Sequence, residues 1–400
     1  MAAQALMDAI LAAPDEDNPR LVYADWLEDQ EDPRGEWIRI QVELARLEQM
    51  PEGVFLPAWS RLKLREEELW AQYYKEWLPE PLDPTLANAF VYRFRRGFAE
   101  ECRVSAAMFL QHADQLFLEV PTIRRVSFLM VSESLFELMN SEHLRKLVTL
   151  DLSMRTDVTF LRDTDIPTIA MSSCLDQVQE LYLIWNRIEA QGMSSLACSS
   201  LLSRLKVLNL AENRIGSEGL QWLSQSSQSS NLERLLLEHN HIGAEGLAAL
   251  AESPHWTSLQ QLKLSRNNSL GRKGIESLAG AKSLNHLVSL GLQECGLWPA
   301  DIEMLAQAPF APQLKVLQLS RNRLLDEGVL RLVKSKNFEN LRVLDLIGNG
   351  ITDEGAKQLA DCKHFDNLVA LRVDFNELSS EGTQILKDRF GDEVVVNSYG

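Results

Sequence analysis

Cysteine is scarce and unpaired in this sequence. Its five copies, Cys102, Cys174, Cys198, Cys295 and Cys362, lie far apart with no C-x-x-C spacing. That pattern excludes a disulfide framework or a cysteine zinc site and suits a reducing compartment. Positive charge is also short: 40 Lys and Arg stand against 57 Asp and Glu, a net charge of −17. Nucleic-acid backbones and anionic membranes need concentrated basic surface, so neither is an expected partner. Long apolar runs are missing; no window holds eighteen uninterrupted apolar residues, and no membrane span is expected. The opening MAAQALMDAILAAP has no basic n-region and is interrupted by Asp8, so it reads as an amphipathic helix rather than a signal peptide. A cytoplasmic location follows as the expectation. The P-loop, G-x-S-x-G, G-x-G-x-x-G and H-E-x-x-H patterns are all absent, so the chain is expected not to be an enzyme, with no catalytic residue and no cofactor. Glu238, His239 and His241 cluster around Asn240, but two histidines at one strand end are too few ligands, and no metal is expected.

What is present is a period. Aligned on one position, the chain reads VQELYLIWNRIEAQG from 178, LKVLNLAENRIGSEG from 205, LERLLLEHNHIGAEG from 232 and LQQLKLSRNNSLGRKG from 259. It continues with LVSLGLQECGLWPAD from 287, LKVLQLSRNRLLDEG from 314, LRVLDLIGNGITDEG from 341 and LVALRVDFNELSSEG from 368. The anchors are Asn186, Asn213, Asn240, Asn267, Cys295, Asn322, Asn349 and Asn376, spaced by 27 residues with a single step of 28. Within each copy L-x-L alternates with period two, a short strand with its leucines turned inward. Apolar pairs three apart follow, such as Leu220/Leu223 and Val329/Leu332, which is a helical stripe. Ser217, Thr352 and Asp353 stand where the helix start wants a cap. Stacking such units gives α/β architecture: a parallel sheet on one side, helices on the other, and curvature toward the narrower sheet.

The motif L-x-x-L-x-L-x-x-N-x-I/L resembles the leucine-rich repeat, and the Glu-Gly plus helix that follows is similar to the ribonuclease-inhibitor-like subclass. The resemblance implies a horseshoe-shaped solenoid with the sheet on the concave face and the helices on the convex face. The asparagine column is expected to be structural, because a side-chain amide both donates to and accepts from buried backbone groups. Cys295 is where that column should weaken. Upstream the pattern frays: LVTLDLSMRTDV from 147 carries Arg155 where asparagine belongs, and FVYRFRRGFAEECRVSAAMFLQHADQLF from 90 alternates and then turns helical, which suits an N-terminal cap. The expected repeat domain is 89–400, with an N-terminal cap over 89–146 and a C-terminal cap over 383–400.

The first 50 residues are the acidic part, with 12 Asp and Glu against 4 Lys and Arg. Interruptions at Pro14–Pro19 and Asp32–Gly35 leave three helical pieces, near 4–13, 20–30 and 36–49. PRLVYADWLED (19–29) followed by DPRGEWIRIQVELARL (32–47) closely resembles the repeat-companion domain, a short bacterial module that carries no activity to transfer. A small all-α domain over 1–50 is therefore expected, with Asp25 and Asp32 capping helices or pairing with Arg20 or Arg34. The segment 51–88 should connect it to the array, and its helix over 57–78 should pack Trp59, Leu62, Leu69, Tyr73 and Trp77 onto the first repeats.

Function is expected on the concave sheet. In each repeat the third, fifth, seventh and eighth positions point away from the leucine core. Tyr182 and Trp185 fall together at one end, Lys263, Arg266 and Arg321 in the middle with Glu212 and His239 beside them, and Phe375 at the far end. Aromatics and arginine dominate binding hot spots. The sequence therefore reads as a protein-interaction module or scaffold whose partner carries an acidic patch. A regulatory or accessory subunit of a separately encoded signalling enzyme is the alternative, and a site between the N-terminal helices and the first repeats is a weaker third option.

Overall fold

A computed structural model describes residues 2–79, 89–154, 160–392 and 394–396. The Arg155 position and the last four residues of the expected C-terminal cap lie outside the described residues. Two compact units are present: Met1–Ser153 with Ser173–Val178, and Met154–Ser172 with Gln179–Gly400.

The first unit opens with helices α1 (Ala2–Ala12), α2 (Asn18–Glu28), α3 (Arg34–Gln49) and α4 (Pro57–Trp77). The proline at 19 does not hold the chain out of the helix as the sequence suggested. It sits in the first turn of α2, where its missing N–H has no intrahelical partner to lose. Strands β1 (Val91–Arg95) and β2 (Phe98–Ser105) form an antiparallel hairpin with a bulge at Arg93/Phe94. From β2 the sheet runs parallel through β3 (Arg125–Leu129) and β4 (Thr149–Asp151), with α5 (Ala106–Glu119) and α6 (Leu135–Met139) between.

The hairpin tip explains the acidic opening stretch. Phe98 is 2% exposed and lies in one core with Ile10, Tyr23, Ala24, Leu27, Ile38 and Val42. The guanidinium groups of Arg34 and Arg20 flank its ring at 5.5 and 5.8 Å from the centroid. Gly97, at φ +87°, donates its N–H to Gln41 Oε1 at 2.7 Å. A Cβ there would fall 2.3 Å from Ile38, so a side chain has neither the space nor the backbone conformation. Arg20, 1% exposed, donates to Glu100 Oε1 of β2 at 2.5 Å, and Arg96 reaches the same carboxylate at 3.1 Å. Burial of an ion pair is tolerable only with such mutual hydrogen bonding. Arg20 thus pairs with Glu100 rather than with Asp25, which meets Arg39 instead. Asp32 accepts the backbone N–H of Arg34 at 2.9 Å. The Tyr-Ala-Asp-Trp-Leu and Asp-Pro-Arg-Gly segments therefore build a socket for the hairpin. Helix α4 packs mainly on α3, with Leu69 and Trp77 against Trp37, Ile40 and Leu44 and with Phe94 of β1 alongside.

The second unit repeats strand and helix. After α7 (Ile166–Ala170) come β5 (Glu180–Tyr182), α8 (Ala190–Ala197), β6 (Val207–Asn209), α9 (Gly216–Gln225), β7 (Arg234–Leu236) and α10 (Ala244–Glu252). Next are β8 (Gln261–Lys263), α11 (Gly271–Ala279), β9 (Ser289–Gly291), α12 (Pro299–Ala306), β10 (Val316–Gln318) and α13 (Leu325–Lys334). The unit closes with β11 (Val343–Asp345), α14 (Asp353–Asp361), β12 (Ala370–Arg372), α15 (Ser380–Phe390) and the short β13 (Val395–Val396). Strands β5 to β13 are parallel and in register, so Leu181, Leu208, Leu235, Leu262, Leu290, Leu317, Leu344 and Leu371 form one column. None of the eight is more than 1% exposed. The 28-residue step leaves this register intact, with Lys263 opposite Gly291. The cap positions act across repeats more than within them. Thr352 accepts from Glu354 N–H as expected, but Ser217 and Asp353 accept the backbone N–H of Gly243 and Ser379 in the following repeat.

Candidate interaction face

The asparagine column lies just past the strands, buried. Asn322 shows its bonding in full: Oδ1 accepts the N–H of Cys295 and Leu297 at 3.1 and 3.0 Å, and Nδ2 donates to the carbonyls of Leu292 and Leu319. Asn267 repeats this with Asn240, Ile242, Leu237 and Leu264, and Asn376 with Asn349, Ile351, Leu346 and Val373. Asn186, Asn213 and Asn240 likewise accept an N–H of the preceding repeat and donate to strand-end carbonyls. Asn349 donates to Leu319 and Leu346, while its Oδ1 has no partner. The Cys295 thiol, only a weak acceptor, lies at 3.4 Å from both Leu264 O and Gln293 O; the Leu270 amide turns instead to Asn267 O at 3.4 Å. These residues hold the turns.

The position before each anchor carries a feature the sequence reading missed. Trp185, Glu212, His239, Arg266, Glu294, Arg321 and Phe375 all have φ between 51° and 61°, and Gly348 completes the column at 63°. Left-handed backbone disfavours side chains with a Cβ by roughly 1–2 kcal/mol per residue, yet glycine occurs here only once. Gly348 is the one residue whose type hinted at this geometry. Trp185 is 55% and Phe375 64% exposed, while Tyr182 is half-buried on β5.

Charges in this row alternate and pair. Glu212 meets His239 and, at 3.6 Å, Arg266; Arg266 reaches Glu294 at 3.3 Å; Arg321 reaches Glu294 at 2.9 Å. Lys263 lies on the strands beside them. Its chain passes over Gly291, where a Cβ would stand 2.6 Å from its Cδ, and its ammonium donates to Gln318 two repeats away. Burial pushes Lys263 down to about 8, against the pull of Glu238 and Asp345. Burial also raises the Glu238 and Asp345 carboxyls; Asp345 keeps Ser320 at 3.2 Å and Arg372 at 3.3 Å. Within the basic centre read from Lys263, Arg266 and Arg321, the two arginines are thus paired with Glu212 and Glu294 of neighbouring repeats, while Lys263 is held by the neutral amide of Gln318. Side chains of the third column do not all face solvent either: Val207, Val316, Val343 and Ala370 are buried. Among the described residues, no group of three or more His, Cys, Asp or Glu is arranged to hold a metal ion, and no helix is long and apolar enough to cross a membrane.

A family model described as Leucine Rich repeat matches residues 203–224, 228–251, 255–279 and 339–360. No curated protein matches the chain. Among solved structures, an internalin from Listeria monocytogenes is similar at 16% identity over 81% of this chain and 99% of that one, with a TM-score of 0.41. The Rad7 and Elc1 complex in yeast is similar at 17% identity over 74% of this chain and 86% of that one, with a TM-score of 0.43.

Proposed function

We propose that this leucine-rich-repeat protein is a non-enzymatic interaction module that binds another protein on the concave sheet face of its array, in the cytoplasm. Tyr182 and Trp185 anchor one end, Phe375 the other, and Glu212, His239, Arg266, Glu294 and Arg321 provide the polar row between. The observation that carries the reading is the left-handed column. Large side chains are held where glycine would be unstrained, and strain kept at exposed positions points to use of the side chains themselves. Because each arginine already meets a carboxylate, the partner is proposed to present mixed charge around an apolar contact rather than a purely acidic patch. Affinity capture from host lysate, read by mass spectrometry, tests this with a Trp185→Gly/Phe375→Gly variant whose Tm is not lowered. A protein retained by the wild type and lost by the variant supports the face; identical capture by both refutes it. A signalling enzyme as that protein would make the chain its accessory subunit.

A further inference from the structure

A second site lies in the first unit, away from the repeat face. A cavity of about 280 Å³ opens beside α1, α2, the C-terminal end of α5 and the segment leading into β3. Its apolar wall includes Ile10, Leu11 and Phe117, and its polar lining includes Arg20, Arg124 and Lys146, with no carboxylate among the lining residues. In a chain of net charge −17, three cations around an acid-free cavity need a cause.

Their own partners leave positive charge over. Arg20 is 1% exposed and shares the buried carboxylate of Glu100 with Arg96, which also meets Asp17 at 3.3 Å. Its Nη1 donates to Glu16 O at 2.8 Å, and its Nε is buried with no hydrogen-bond partner. Arg124 holds Asp15 at 2.5 Å, but that carboxylate is 79% exposed, on the loop after α1, and does not line the cavity. Lys146 makes no ion pair among the described residues; its ammonium sits 4.4 Å from the Phe117 ring centroid. Arg20 therefore adds positive potential from behind the wall, while Arg124 and the exposed Lys146 are the cations a ligand could meet. Few polar groups converging on an apolar wall is the make-up of a small-molecule site.

We propose that this cavity binds a small organic anion, a carboxylate on a short aliphatic or aromatic body, with the carboxylate at Arg124 and Lys146 and the body against Ile10, Leu11 and Phe117. The site is independent of the repeat face, and its ligand would brace the helical socket against the first strands within that unit.

Isothermal titration calorimetry on the full chain tests it, with hexanoate and phenylacetate as probes and hexanamide and inorganic phosphate as controls. Charge-assisted hydrogen bonds are strong enough that hexanamide should bind at least about tenfold more weakly than hexanoate. Loss of the apolar contact should put phosphate below both acids. Lys146→Gln and Arg124→Gln should each weaken hexanoate by about tenfold with unchanged circular dichroism; Lys146 is exposed, so its replacement does not threaten the fold. Absence of heat from both acids at 10 mM (roughly the weakest affinity a built site would have) would overturn the proposal. So would equal binding of hexanoate and hexanamide, phosphate binding as tightly as hexanoate, or indifference to both substitutions.

Discussion

The two units hold themselves together in opposite ways. In the repeat unit every strand, turn and helix does the same small task, and its neighbours one repeat away do it again. Leu181 and Leu371 occupy equivalent places, as do the amides of Asn267 and Asn322. In the first unit a few residues do tasks done nowhere else: Phe98 fills the helical socket, Gly97 lets the hairpin enter, and Arg20, Arg96 and Glu100 form one buried charge cluster. Repetition spreads stability over many nearest-neighbour contacts; the socket concentrates it. Damage should therefore be graded in the array and abrupt in the socket.

Phe98→Ala should have the largest effect, about 3–5 kcal/mol, because it removes the centre of a core and leaves a cavity. Hydrogen exchange should show α1 to α3 losing protection while β5 to β12 keep theirs; retained protection in the helices would remove the contrast. Next, Glu100→Gln strips the buried Arg20 of its carboxylate and leaves Arg96 with Asp17 alone, and should cost about 3–5 kcal/mol in urea unfolding.

In the array, Asn322→Ala should cost about 1–3 kcal/mol through orphaned backbone groups. Cys295→Ala, at the place where the column already lacks an amide, should cost less than about 1 kcal/mol. Equal losses would mean that the asparagine bonds are not what holds the turns.

Smaller still is a pH effect. Lys263 titrates at about 8 in the folded chain against 10.5 unexposed to the fold. Between those values the unfolded chain binds a proton that the folded one does not, so stability should rise with pH across that window. Below it both states are protonated and the burial penalty stays in full. Lys263→Met should be the more stable at neutral pH and should lack the rise; the same slope in both proteins would assign the effect elsewhere. The smallest change is Trp185→Gly: relief of left-handed strain is partly offset by the extra backbone freedom glycine gives the unfolded chain, so stability should rise by at most about 1 kcal/mol, as a shift in the urea midpoint. A loss would mean that the indole packs on the array.

Legibility differed between the units for the same reason. In the array, leucine spacing, strand position and the asparagine column could all be read along the chain, because each motif records contacts that recur one period later. The side-chain charges could not. Arg266 looks basic in isolation, and only strand register puts Glu212 and Glu294 on either side of it. Likewise Gly291 reads as a gap until Lys263 is seen crossing it toward Gln318. In the first unit the helices were legible from their apolar faces and turn residues, but Arg20 gave no sign that its partner is 80 residues away.

By itself, then, the sequence determined the repeat, its 27-residue period, the inward leucines and the helical start of the chain, because periodic burial is a local and repeated demand. Tertiary structure alone decided which charges cancel on the sheet face, why the opening helices carry Arg20, Tyr23 and Arg34, and where a cavity free of carboxylates remains. Those outcomes depend on distances between segments remote in the chain, and distance is the one quantity that electrostatics and packing both require.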